Sequence, residues 1–362
     1  MSERSKKRNK TTGSDSTPVS LKTLAGYLKL SPTTISLVLN GSADSIPQET
    51  KDRVFAAAAK FNYRPNFFAR SLRNKKTSTI GVLIRDMSDA YGSLLISGIE
   101  GVLREAQYFY LLANHHLQNE LLDRYIKLLL DRGVEGFIAI DTDLRQPLPA
   151  PTVAIAGHRA LPGVTNIVVD QKRAAEEGVK HLVSLGHKRI VFMRGQSFSS
   201  DAAERWECYL SAARDLGVQV DRELLVQLES EDMSPQAGYP VISRLLETRR
   251  DFTAVFAYND LSAIGAIRAL NDVGLRVPED VSVVGFDDIP TAAFYSPSLT
   301  TVRQPLRDMG QIAAATLLGR LNQSSEAPAM IAVEPELIIR ESTGPAPGTK
   351  VSSRNREIAA IR

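Results

Sequence analysis

The chain has 362 residues, 43% of them hydrophobic and 23% charged, a balance that suits two or three folded domains and excludes wholesale disorder and fibrous repeats. The net charge of +3 conceals an asymmetry: residues 1–76 hold 15 Lys and Arg against 5 Asp and Glu, a net +10, and the remainder is net −7. A compact basic segment suits a phosphate backbone, and the acidic remainder needs a different partner.

Residues 1–18 are polar, without a periodic apolar face, and read as a disordered arm. Lacking the apolar core of a secretory signal, they imply a cytoplasmic protein, and no run approaches the roughly 18 apolar residues of a membrane span. Residues 19–65 read as one small domain of three short helices. Their apolar spacings are Leu21, Leu24, Ala25 and Leu28, then Ile35, Val38 and Leu39, then Val54, Ala57, Ala58 and Phe61. None of these helices can stand alone, and together they match the helix-turn-helix plan. Ser31 is a good N-cap and Pro32 a good first helical residue for the second helix. That helix would enter a major groove N-terminus first, which makes Pro32, Thr33, Thr34 and Leu37 the candidates to reach base edges. Residues 66–78 read as a short hinge helix, Phe67 to Arg73, followed by a charged linker.

From Thr79 onward, apolar strand-like runs alternate with helical stretches, the mark of βαβ units and parallel sheets. A first set comprises Ile80–Ile84, Phe109–Ala113, Gly136–Ile140, Val153–Ala156 and Asn166–Val169. A second comprises Ile190–Met193, Leu224–Leu228, Ala254–Ala257 and Val281–Phe286. Two sets imply two lobes within residues 79–344. Ser298 to Pro305 would cross back between them, a helix would run to about Leu321, and a last strand, Pro335–Ile339, would follow. Residues 345–362 read as a flexible tail. The single Cys208 excludes an internal disulfide or multi-cysteine metal site, and reads as an inert buried thiol. Ligands of parallel sheets sit beyond strand carboxyl ends, so Asn259-Asp260 and Asp287-Asp288 are candidates to bind hydroxyls, and Arg205 to donate paired bonds to a polar ligand. Arg205 has an alternative role as the ion-pair partner of Glu204 or Asp201. No glycine-rich nucleotide loop, Ser/His/Asp order or metal-ligand pair is evident, so neither an enzyme nor a cofactor is expected.

The run VSLKTLAGYLKLSPTTISLVLNG, then Tyr63-Arg64-Pro65-Asn66 and Ala69-Arg70-Ser71-Leu72, resembles the headpiece and hinge of the lactose-repressor (LacI/GalR) family. Farther on, Leu185-Gly186-His187-Lys188-Arg189-Ile190, Leu275 to Val281, Gly285-Phe286-Asp287-Asp288 and Leu299 to Pro305 extend the resemblance to about Gly344. It implies an α/β protein with an N-terminal all-α helix-turn-helix headpiece and a two-lobed, periplasmic-binding-protein-like domain. The implied function is that of a transcriptional regulator, a repressor more than an activator, controlled by a small effector such as a sugar. A homodimer on double-stranded operator DNA is expected. Ser31, Asn40, Tyr63 and Asn66 join the DNA-contacting set, with Ala69 and Leu72 at the minor groove and Leu72 as the wedge between base steps. Tyr91, Arg205, Asn259, Asp287 and Gln304 are the implied effector contacts. Three departures restrict the inheritance: Leu37 stands where many relatives carry arginine, Phe67 replaces a polar or basic residue, and Gly157 stands near a position where many carry aspartate.

Overall fold

The structure is a computed structural model that describes residues 19–39, 43, 45–63, 76–230, 234–323 and 327–348. The expected arm, Asn40, Asn66, Ala69, Leu72, the hinge helix and residues 349–362 lie outside the described residues. Contacts divide the chain into Met1–Thr77 and Ser78–Arg362.

The described part of the first unit consists of three helices, α1 (Leu21–Leu28), α2 (Pro32–Leu39) and α3 (Gln48–Lys60). The Ser20 side chain caps α1 by accepting from the Thr23 amide. Lys29, left-handed at φ 55°, ends the helix with its amide donating to the Ala25 carbonyl, and so turns the chain within three residues into α2. The apolar periodicity closes into one core, in which Leu24, Ile35 and Val54 are fully buried and Leu21, Leu39 and Phe61 pack around them.

The second unit holds two six-stranded sheets. The first takes β1 (Thr79–Ile84), β2 (Phe109–Asn114), β3 (Gly136–Ile140), β4 (Thr152–Ile155), β5 (Val164–Val169) and β11 (Met330–Val333), ordered β11-β5-β4-β3-β1-β2 and wholly parallel. The second takes β6 (Ile190–Arg194), β7 (Leu225–Gln227), β8 (Ala254–Phe256), β9 (Ser282–Asp287), β10 (Thr300–Arg303) and β12 (Glu336–Ile338), ordered β12-β10-β9-β8-β6-β7. Among the described residues only β12 runs antiparallel, against β10. Strands such as β1 and β9 are buried at every position, as parallel strands covered by helices on both faces must be.

Helices α4 (Ala90–Glu105), α5 (Asn119–Asp131) and α11 (Leu306–Leu321) belong to the first lobe. The second lobe has α6 (Gln171–Ser184), α7 (Ser200–Asp215), α8 (Tyr239–Thr248), α9 (Asp260–Asp272) and the short α10 (Pro290–Phe294). Where α4 crosses α11 the backbones touch. A Cβ at Gly98 would fall on the Arg307 carbonyl, and one at Gly310 on the Leu95 carbonyl, so only glycine fits at both points. The chain passes between lobes three times, after β5, β10 and β11.

Both sheets repeat one strand order, with the first strand of each lobe beside the second on one side and the third on the other. Consecutive connections therefore leave in opposite directions between β1 and β3 and between β6 and β8. Such a switch point opens a crevice at the carboxyl ends of the strands.

Candidate functional site

At the first switch point, Arg85 follows β1 and Asp141 follows β3. Their side chains pair, Nε to Oδ2, at 2.8 Å with both almost buried. His158 adds its Nε2 to Asp141 Oδ1 at 3.1 Å. Burial works against the charge of each partner, but the His158 hydrogen bond and the Arg85 charge hold Asp141 below the usual carboxylate range. The same Asp141 contact outweighs the burial of His158 and raises its pKa. Asp141 and Ala156 lie in the left-handed region, at φ 41° and 49°, where side chains other than glycine are strained, a condition that concentrates at functional sites. The Asp141 amide donates to the Ile155 carbonyl at 2.9 Å. A carboxylate thus stands beside the Ala156-Gly157 turn, supplied by the neighbouring strand end. Nearby, Asp89 caps α4 by accepting from the Gly92 amide, and Tyr91 lies in the first turn.

The second switch point is built around Arg205 on α7, 2% exposed. Nε donates to Gln171 Oε1 at 3.0 Å, Nη1 to the Tyr258 carbonyl at 2.9 Å and Nη2 to Asp201 at 3.3 Å. The guanidinium lies 3.6 Å from the Phe286 ring centroid and 4.8 Å from that of Tyr258. A planar cation fixed this way leaves two of its five N–H groups for a ligand. Asp287 ends β9 at φ 116°, and its Oδ1 accepts from Gln304 Nε2 at 2.6 Å. Burial pushes its carboxyl up to about 7 against the opposing effects of Arg205 and Gln304.

These halves face one another across a cleft lined by side chains from both lobes. The lobes meet at its wall, where Ser200 Oγ donates to Asp141 Oδ1 at 3.3 Å and the Arg85 guanidinium lies 4.9 Å from the Phe198 ring centroid. Tyr91, Arg205, Asn259, Asp287 and Gln304, from five separate stretches of chain, all line this cleft. Of the two alternative partners of Arg205, Asp201 is the one engaged.

Three expectations need correction. Asp260 does not face a ligand: it is fully buried and accepts from the Ile289 amide and the Thr301 hydroxyl. Asp288 is turned away between Arg303 and Arg340. In each pair only one side chain can point into the cleft, and the other closes the loop behind it. Asn259 is also partly committed, because its Oδ1 caps α9 and only its amide N–H groups remain. Cys208 is half-buried rather than enclosed. The sequence reading missed Arg85, Asp89, Asp141, Gln196 and Tyr258, which also line the cleft. All but Asp89 follow a strand end by one or two residues, so the rule that found Asn259 would have found them. Among the described residues no cluster of His, Cys, Asp and Glu is placed to hold a metal ion, and no helix is long and apolar enough to cross a membrane.

In the first unit, Ser31 Oγ accepts from the Thr34 amide at 3.0 Å and meets the Thr34 hydroxyl at 2.8 Å. This fixes the start of α2 and leaves Pro32 and Thr33 exposed, with Thr34 and Leu37 half-buried. The Tyr63 ring packs on the helical core.

The sequence and fold have known counterparts. Residues 20–66 match the family of bacterial regulatory proteins, lacI family, and residues 179–343 match the periplasmic binding protein-like domain. The HTH-type transcriptional regulator RegA of Clostridium saccharobutylicum is 32% identical over 332 residues, 90% of this chain and 99% of that protein. The HTH-type transcriptional repressor PurR of Yersinia pestis bv. Antiqua is 31% identical over 338 residues, 90% of this chain and 97% of that protein. The Lac repressor dimer bound to operator and the anti-inducer ONPF superposes with a TM-score of 0.82 at 26% identity, over 91% of this chain and all of that one. The transcriptional regulator CelR in complex with cellobiose gives 0.67 at 26% identity, over 90% of this chain and 99% of that one. With both parts matched in order and near-complete relatives above 30% identity, the chain belongs to the LacI family of bacterial regulatory proteins.

Proposed function

We propose that this regulator represses transcription as a homodimer, and that a small polar ligand, a sugar or sugar derivative, sets its operator affinity from the cleft between the lobes. In this reading residues 19–65 contact the operator, 66–78 form the hinge and 79–344 bind the effector. Pro32, Thr33, Thr34 and Leu37 approach base edges, with Ser31 fixing the helix start. Leu37 offers only apolar contact, as to a thymine methyl. The relatives named above are regulators, which supports a binding role over catalysis and a cytoplasmic site of action.

The observation that carries the effector assignment is Arg205, held by three hydrogen bonds and packed against two rings with two N–H groups to spare, in one cleft with Asp287 and Gln304. Rigid donors beside carboxylate and amide acceptors suit adjacent hydroxyls, and the aromatic faces cover the carbon skeleton. A ligand that binds the DNA-free arrangement more tightly induces, and one that prefers the DNA-bound arrangement acts as a corepressor. The test is to select operator DNA from random sequence, measure its binding across a salt series, and titrate the complex with sugars and nucleobases. Specific binding with a steep salt dependence, shifted by one ligand class, supports the reading. A selection that enriches no sequence contradicts the operator assignment, and an operator complex that no small molecule shifts contradicts the effector assignment.

A further inference from the structure

The cleft is unevenly neutralised. Four carboxylates (Asp89, Asp141, Asp201 and Asp287) and two arginines (Arg85 and Arg205) line it. Arg85 and His158 hold Asp141, and Arg205 holds Asp201. Among the described residues neither Asp89 nor Asp287 has a cation at ion-pair distance. Their partners are neutral donors, the Gly92 amide for Asp89 and the Gln304 side chain for Asp287. Burial raises the pKa of both carboxyls; the Gly92 amide and the Arg85 charge oppose the rise at Asp89, and the Arg205 charge and the Gln304 hydrogen bond oppose it at Asp287, without cancelling it in either.

A third acceptor is independent of the carboxylates. Gln196 follows β6, lines the cleft and is 3% exposed. Its Nε2 donates to the Ser230 carbonyl at 3.1 Å, which fixes the amide orientation, and its Oε1 has no partner. A buried acceptor without a donor is costly, and a buried carboxylate without an ion-pair partner, as at Asp287, more so; Asp89 is half-buried beside it. A neutral polyol would supply donors but no charge. An anionic ligand would add a further negative charge to a wall with four carboxylates.

Resting on the effector reading above, we infer that the effector carries a protonated nitrogen, as an amino sugar or amino polyol does, with its ammonium toward Asp89 and Asp287 and Gln196 accepting from a further hydroxyl or N–H. An ammonium places its charge and three donors at one point, and a charge-assisted bond there is worth roughly tenfold to a hundredfold in affinity over a neutral one. Asp141 and Asp201 retain their own cations and stay part of the wall.

The test is calorimetric titration of the full-length protein with matched probes at pH 7. D-glucosamine and D-galactosamine are compared with the parent hexoses and their N-acetyl forms, 1-amino-1-deoxyglucitol with glucitol, and glucuronate serves as the anion. The expected result is a preference of about tenfold or more for one amine over its uncharged counterparts. That preference should shrink toward unity in Asp89→Asn and Asp287→Asn, both near-isosteric, while Asp123→Asn, exposed on α5 and outside the cleft, keeps it. If a neutral or anionic probe binds as tightly as its amine, the inference is overturned and the effector reading stands. If no probe of any charge binds or alters operator affinity, both fall together.

Discussion

Replacing Arg205 by methionine separates the structural from the ligand-binding work of this side chain. Methionine keeps an apolar stem near Phe286 and Tyr258 but removes the donors to Gln171, the Tyr258 carbonyl and Asp201. The Asp201 carboxylate, with a side chain 16% exposed, is then left without its cation. Breaking a buried pair from one side costs about 3–5 kcal/mol, much of it the penalty on the stranded charge. Burial already raises the Asp201 pKa while Arg205 opposes the rise. Without Arg205 it rises further, and protonation relieves the penalty. The variant is therefore expected to lose about 3–5 kcal/mol at pH 8 and distinctly less at pH 5. Asp201→Asn combined with Arg205→Met should recover part of the loss. Trp206 is the one tryptophan of the chain and lies in the second unit, so its fluorescence in a denaturant titration reports that unit alone. A loss under about 1 kcal/mol at pH 8, or one of equal size at both pH values, would refute the argument.

Other perturbations test the remaining parts. Leu24→Ala removes a fully buried side chain from the small helical core and should cost about 2–5 kcal/mol. Operator binding by anisotropy should collapse while ligand binding by calorimetry persists; retained operator affinity would count against this core. Ser31→Ala deletes the acceptor for the Thr34 amide and should lower the melting temperature of the headpiece through a loss of about 0.5–2 kcal/mol, whereas an unchanged melting curve would deny that cap a role. The raised pKa of His158 gives stability that is complete below its unfolded value and lost as pH rises through its folded value. His158→Gln should therefore flatten the fall in unfolding free energy above about pH 6.5, and an unaltered slope would remove the Asp141 contact from the account.

The architecture was legible because parallel strands and amphipathic helices write their burial directly into the sequence. The buried run Thr79–Ile84 and the spacing of Leu24, Leu28 and Ile35 needed no long-range information. Strand β11 escaped because Met330–Val333 is a sheet-edge strand, exposed or half-buried at three of its four positions, so its apolar pattern lacked the context that a central strand has. Strand ends located the cleft, but orientation within it depends on tertiary partners. Nothing in the local sequence distinguishes Asp287, which faces the cleft, from Asp288, which Arg303 and Arg340 turn away. The pairing of Arg85 with Asp141 joins residues on neighbouring strand ends that are far apart in sequence, and only the register of β1 against β3 brings them together.

The central claim is that the cleft and the operator surface are thermodynamically coupled. The most direct measurement is the affinity of the most effective ligand with and without saturating operator, together with operator affinity with and without saturating ligand. The two ratios are expected to be equal, as linkage requires, and to differ from one by about fivefold or more. Ligand affinity indifferent to operator would contradict it.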